Sequence, residues 1–283
     1  MDTVERNQKR TNTRSESNHN RLDNDYSDIS TAKKVAARLT SGFKWISTIN
    51  PKTLKGLIHG YITAVLPLAP AMTSGYETCY RYRHCASTCL FHQGRGRFPQ
   101  VEASRIKKTR KYAKDPHLAT EQIDAELKLF AVRAKEYDFI PCVRLNCFSD
   151  IPWEERHIPA LNGTIIDNNP HIQFYDYTKI PWGERSAWEN MPTNYYLIYS
   201  YDGTEEDIPN CLKILKQGHN IHMVYSKPNY KKFLKELSES SFLECFHQWL
   251  YPMINSEISD NRFLDPSPVI CIGCEKGYSN IAI

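Results

Sequence analysis

The period of hydrophobic positions changes several times along the chain, and each change predicts an element. Residues 1 to about 30 are rich in Asn, Ser, Thr, Asp, Arg and Gln and nearly lack large apolar side chains. Such a stretch buries too little surface to offset the entropy of ordering, so a disordered polar leader is expected. From Thr31 to Ile49 apolar and basic residues recur at helical spacing, which predicts a short amphipathic helix. Tyr61-Ile-Thr-Ala-Val-Leu66 is rich in β-branched residues and closed by Pro67 and Pro70, the signature of a strand. Val101, Ile106 and Tyr112, then Ile123, Leu127, Phe130 and Ala134 beyond Asp115-Pro116, predict two helices. The second is expected to start near Thr120, with Glu121 in its first turn.

Five further strands are predicted at Cys142–Asn146, Ile172–Tyr175, Tyr195–Tyr199, Ile221–Tyr225 and Val269–Ile272, with helical spacing over Ile208–Gln217 and Tyr230–Leu237. Strands alternating with helices point to a parallel sheet. The fold class read from this pattern is α/β, a partial (β/α)6 TIM-like barrel with parallel strands, forming one domain over residues 31–283. Each predicted strand runs into polar residues. Asn146-Cys-Phe-Ser-Asp150 follows the second, Asp176-Tyr-Thr-Lys179 the third, Ser200-Tyr-Asp202 the fourth, Ser226-Lys227 the fifth and Glu275-Lys276-Gly277 the sixth. Parallel α/β sheets bind ligands at the C-terminal strand ends, so these groups should converge on one mouth.

The 283 residues, 41% of them hydrophobic, suffice for a sizeable core, and a net charge of +4 neither demands nor excludes nucleic acid. No stretch approaches the roughly 18 uncharged apolar residues of a membrane span, so no membrane partner is expected. The start of the sequence shows neither a signal-peptide apolar region nor transit-peptide character, and nine cysteines is an odd number. A reducing cytoplasm is the expected compartment, where clustered thiols bind metal or do redox chemistry.

Clustered thiols are present directly after the first strand. Cys79, Cys85 and Cys89 are spaced C-x5-C-x3-C. Three thiols suit a zinc site completed by His84 or His92, or an iron–sulfur cluster with one open iron. Cys142, Cys147, Cys211 and Cys245 are scattered and read as packing residues, and Cys271-x-x-Cys274 lacks a partner pair. Behind the loop, Arg95, Arg97, Arg105, Lys107, Lys108 and Arg110 form a basic run, with Gly94 and Gly96 inside it. Such a run is either a solvated face or a contact to the phosphates of nucleic acid or a nucleotide. Tyr175, Tyr177, Trp182 and Trp188 are candidates to stack bases or to form an aromatic barrel rim. A rolling-circle nickase would need a His-apolar-His pair and a nucleophilic tyrosine; His219-x-x-His222 and Tyr177 miss that pattern. Asp150 and Asp176 form a possible carboxylate pair. No GxxxxGK[ST], HExxH or GxSxG motif occurs.

The strand followed by a three-cysteine loop and polar strand ends resembles the radical S-adenosylmethionine enzymes, whose loop spacing, C-x3-C-x2-C, is tighter. The segments SGYETC, CASTCLFHQGRGRF, ASRIKKTR, VRLNCFSDIPWE, IQFYDYTK, NYYLIYS and RFLDPSPVICIG are similar to a family of phage- and plasmid-borne proteins that share such a loop. The radical-enzyme resemblance implies a [4Fe–4S] cluster on Cys79, Cys85 and Cys89 and S-adenosylmethionine as cofactor. It also implies Asn146, Ser149 and Asp150 near the cofactor's amino group and Ser200 near its ribose or carboxylate. A nucleic acid or nucleotide substrate in a host cytoplasm would accompany it. The competing expectation is a zinc-binding DNA-replication or DNA-binding protein of a mobile element.

Overall fold

The computed structural model describes residues 29–48, 53–79, 81, 82, 85, 89, 91, 96, 98–239, 251–258 and 260–274. The expected polar leader as far as residue 28, His84, His92, Gly94, Arg95, Arg97, Cys245 and Glu275–Gly277 lie outside them, and Ile29 and Ser30, expected to close that leader, open a helix instead.

Among the described residues, seven strands form one parallel sheet: β1 (Tyr61–Val65), β2 (Ile140–Arg144), β3 (Gln173–Thr178), β4 (Tyr195–Ser200), β5 (Ile221–Tyr225), β6 (Met253–Asn255) and β7 (Ile270–Cys274). Their order is β1-β2-β3-β4-β5-β7-β6, an unclosed, TIM-like partial barrel whose edges are β1 and β6. Among the described residues five α-helices accompany it: α1 (Ile29–Leu39), α2 (Pro99–Lys114), α3 (Pro116–Glu136), α4 (Ile208–Lys216) and α5 (Lys227–Glu239). The barrel therefore has one strand more than the six expected, the extra one being the three-residue β6.

Helix boundaries follow local chemistry. Helix α3 begins at Pro116, four residues before the expected start, because Asp115 accepts the Leu118 N–H (3.0 Å) as its N-cap and Pro116 has no N–H to leave unpaired. Helix α1 stops at Leu39, ten residues short of the expected end. The following turn is captured by Glu126 of α3, whose carboxylate accepts the backbone N–H groups of Lys44 (2.6 Å), Trp45 (2.9 Å) and Ile46 (3.0 Å). Ser47 then bridges antiparallel to Val65 at the end of β1.

Strand register sorts side chains into two faces. One carries Ile62, Ala64, Val143, Phe174, Leu197, Ile221, Met223, Ile270 and Ile272, all buried, and joins Ile123, Leu127, Phe130 and Ala134 of α3 in a single apolar core. The other is the barrel interior and is polar. It carries Thr63, Cys142, Arg144, Tyr175, Tyr177, Tyr196, Ser200, His222 and Cys271. Residues 256–258 and 260–263 fold against this interior. Asp260 accepts the Tyr175 hydroxyl (3.0 Å) and pairs with Arg144 (3.5 Å), Phe263 meets the rings of Tyr61 and Tyr175, and Ser256 bonds His222 (3.0 Å). Gly273 makes room for that histidine, since a Cβ there would stand 2.9 Å from His222 Nε2.

The connections β2–β3 and β3–β4 contain no α-helix, only short 3-10 turns such as Trp153–Glu155 and Ser186–Trp188. Side-chain hydrogen bonds hold these segments in place of helix packing.

Candidate functional site

The thiol loop begins where β1 ends. Thr109 of α2 accepts the Ala69 N–H (2.7 Å), Thr78 Oγ1 donates to the Ala69 carbonyl (2.6 Å), and Arg110 Nε donates to the Ser74 carbonyl (2.9 Å). Asp150 N–H reaches the Thr78 carbonyl (2.8 Å) and fastens the loop to the segment leaving β2. Cys79 is fixed by these contacts. The N–H of Ala71, a non-glycine residue at φ 47°, points at its sulfur (2.8 Å). That backbone conformation is uncommon for alanine, and the bond it makes favours negative charge on the sulfur.

Cys79, Cys85 and Cys89 are half-buried free thiols. Burial dominates their acidity and pushes Cys79 up to about 12; Cys85 and Cys89 are raised in the same way. Cys79 feels the charges of Cys85 and Cys89, and Cys89 that of Cys85, so the three thiols of the loop that follows β1 lie within electrostatic range of one another. Among the described residues, no three His, Cys, Asp or Glu side chains stand close enough to hold a single metal ion. Lys179, just past β3, works against the rise of Cys85 and Cys89, and Arg105 against that of Cys89. The Lys179 ammonium is held over the end of β4 by the carbonyls of Ser200 (3.0 Å) and Tyr201 (2.9 Å), with Ser200 Oγ at 3.4 Å.

Asn146, Ser149 and Asp150 stand on one polar network, Ser149 bonded to Asn146 and Asp150 joined to them through Arg185, Tyr195 and Asp176. Asn146 N–H donates to Asp176 Oδ1 (2.7 Å) and its amide to the Ile151 carbonyl (2.8 Å). Asn146 Oδ1 accepts from Ser149 Oγ (2.9 Å), Ile151 N–H (2.9 Å) and Trp153 Nε1 (3.2 Å). Asp150 accepts the Lys179 N–H (2.7 Å) and pairs with Arg185 (3.2 Å). Arg185, fully buried, also grips Glu154 (2.6 Å) and bonds the Tyr195 hydroxyl (2.7 Å). Burial raises both carboxyls. Arg185 opposes this at Asp150, and at Asp176, pushed up to about 7, the Asn146 N–H opposes it most. Asp150 and Asp176 are thus absorbed in holding backbone. Ser200, at the rim beside Lys179, is the expected cofactor contact that stands outside this network.

The basic run disperses. Lys108 Nζ donates to the Trp45 carbonyl (2.5 Å), and burial lowers its pKa to about 8. Arg110 holds Ser74, Lys111 lies over the Trp45 ring (4.6 Å), and Lys107 is exposed. Arg105 turns inward: its guanidinium lies over Phe148 (4.2 Å) and Phe91 (5.4 Å), and it feels Cys147 and Cys89. The aromatic candidates are also engaged internally. Tyr175 and Trp188 are buried, Trp182 stacks on Trp188 (6.2 Å), and Tyr177 meets His222 edge-on (5.1 Å). His219 packs on Trp182 and Trp188 while His222 faces Ser256, so the two histidines do not form a pair.

Sequence reasoning passed over Lys179, Arg185 and Arg144. Lys179 stood at a strand end already marked as polar, and its position next to a mouth cysteine loop was the available signal. Nothing local distinguishes Arg185, whose three partners come from distant segments.

No helix among the described residues is long and apolar enough to cross a membrane. No curated protein and no solved structure matches the chain. A family model described as Gene product 88 does match, over residues 30–281, which takes in every strand, the thiol loop and the polar network. The chain therefore belongs to the phage-associated Gene product 88 family.

Proposed function

We propose that the thiol loop holds a [4Fe–4S] cluster through Cys79, Cys85 and Cys89 and that the protein is a radical S-adenosylmethionine-type enzyme. The observation that supports the reading is that Cys79, Cys85 and Cys89, three half-buried free thiols within electrostatic range of one another, lie on the loop that follows the first strand of a partial TIM-like barrel. The donor set suits the group. A single zinc draws its thiolates to about 2.3 Å and so packs them tightly, whereas a cluster takes one thiolate on each of three irons and tolerates a wider set. The Ala71 N–H directed at Cys79 supplies the kind of donor that stabilises a ligating thiolate.

When bound, such a cluster with an open iron supplies an electron to S-adenosylmethionine and starts hydrogen abstraction from a substrate. The chain's own residues would do the rest. Cys79, Cys85 and Cys89 ligate; Lys179 sets positive charge beside them; Ser200 offers a hydroxyl at the rim. Asn146, Ser149 and Asp150 act as positioning residues, fixing the segment to which the thiol loop is tied. Asp260 and Ser256, which bond interior side chains, would help to close one side of the interior to water, as radical chemistry requires.

Anaerobic purification followed by iron, sulfide and zinc analysis and a visible spectrum tests the reading. About four irons per chain is expected, falling sharply in Cys85→Ala. About one zinc and no visible absorption would overturn it in favour of a zinc protein.

A further inference from the structure

We propose that Arg105, Arg144 and Tyr177 form an oxyanion-binding site beside the thiol loop, which takes the carboxylate or phosphate of a small substrate. Arg105 Nη1, Arg144 Nε and the Tyr177 hydroxyl are each buried without a hydrogen-bond partner. Buried polar groups are normally satisfied, and leaving one unpaired costs about 1–3 kcal/mol. Three such groups in one region call for a ligand.

The three belong together. Arg144 ends β2 and its guanidinium lies over the Tyr177 ring of neighbouring β3 (4.5 Å). Cys147, three residues past Arg144, feels the charges of both Arg144 and Arg105. Arg105 lies over Phe148 and Phe91, the residues next to Cys147 and two beyond Cys89, so its guanidinium stands beside the segment that leaves β2, four residues past Arg144.

The chemistry of the groups selects the ligand. A guanidinium N–H can only donate, so the partner must present acceptor oxygens, and two permanent cations favour an anion. The nearby carboxylates do not take that role. Asp260 is shared between Tyr175 and another nitrogen of Arg144, and Glu102 acts on Arg105 without bonding it. The inference deepens the reading of the same mouth, and rests on that reading only for what the anion does there.

Thermal melts of the full-length protein, titrated with inorganic phosphate or acetate at constant ionic strength against chloride, test it. At least one anion should raise the melting temperature beyond chloride. A response to phosphate alone assigns a phosphoryl substrate, and to acetate alone a carboxylate. Without anion, Tyr177→Phe should melt no lower than wild type and Arg105→Met little lower, since each removes an unsatisfied group. Each should need roughly tenfold or more anion for the same rise. The proposal is overturned if neither anion acts beyond chloride, if both variants respond like wild type, or if both melt lower without anion. No iron is read in this experiment, so its failure leaves the cluster reading standing, and loss of the cluster reading leaves the anion site testable.

Discussion

Two polar regions flank the C-terminal half of the sheet, and they differ in whether their hydrogen bonds close. Around Asn146, every named group meets a partner: the amide gives and takes, Asp150 and Glu154 share Arg185, and Asp176 takes the Asn146 N–H. Around Cys147, Arg105, Arg144 and Tyr177 keep buried donors unpaired, beside three thiols raised by burial. A closed network is what a helix-free connection needs to stay on a sheet; an open one is destabilising unless something binds. Polarity at a strand end is therefore a poor guide to function, and unsatisfied polarity a better one.

The sharpest way to break this contrast is to remove one arginine from each region. Arg185→Met leaves Asp150 and Glu154 as buried, uncompensated carboxylates, and a loss of about 3–5 kcal/mol is expected in urea unfolding. Arg105→Met should cost less than about 1 kcal/mol, because it deletes no hydrogen bond and replaces the guanidinium over Phe148 with a thioether that can pack on the ring. Equal losses would erase the distinction between scaffold and site. Asn146→Ala comes next, at about 2–3 kcal/mol, since it orphans the Trp153 indole and the Ile151 N–H. A near-neutral result would mean that the connection is held chiefly by its apolar residues.

A milder probe is pH. The Asp176 carboxyl moves from its ordinary 3.8 to about 7 on folding, because burial disfavours its charge. The folded state therefore holds this proton more tightly than the unfolded chain. The contribution is fully present below about 3.8 and is lost as pH rises through about 7, the sign opposite to that of a salt-bridged carboxylate. Asp265, pushed up to about 6, acts in the same direction. Urea midpoints across that window should show Asp176→Asn flattening the fall with pH without abolishing it. An unchanged slope would show that Asp176 is charged in the folded protein.

How far this arrangement was legible depends on whether the determining contact is local. Ile221–Tyr225 is the strand its alternation predicts, and Tyr61, Tyr195 and Ile208 open the elements expected of them. Strand β2 begins two residues early because Ile140 and Pro141, the proline unpromising in a strand, pair with Tyr61 and Ile62 of the edge strand β1. β6 is three residues behind a proline, too short for a period to show. Within the site, the loop cysteines could be read from spacing, but the roles of Arg105 and Lys108 could not. One residue position separates Arg105 over Phe148 from Ile106, and what decides the fate of Lys108 is a carbonyl 63 positions away.

The smallest expected effect falls on the thiol loop. Among the described residues the Cys85 thiol meets the Tyr82 carbonyl at 3.5 Å, a weak contact, and burial raises its pKa, which favours the neutral form. Serine at this position keeps a donor for the same carbonyl and removes no packing of consequence, so Cys85→Ser in metal-free protein should shift stability by less than about 0.5 kcal/mol. The same substitution on the anaerobically isolated protein should reduce bound iron severely, because hydroxyl is a poor replacement for a thiolate ligand. A large loss of stability in the metal-free protein would place Cys85 with the closed network and among the residues that build the fold. A small loss together with depleted iron is the signature of a residue whose partner is a ligand.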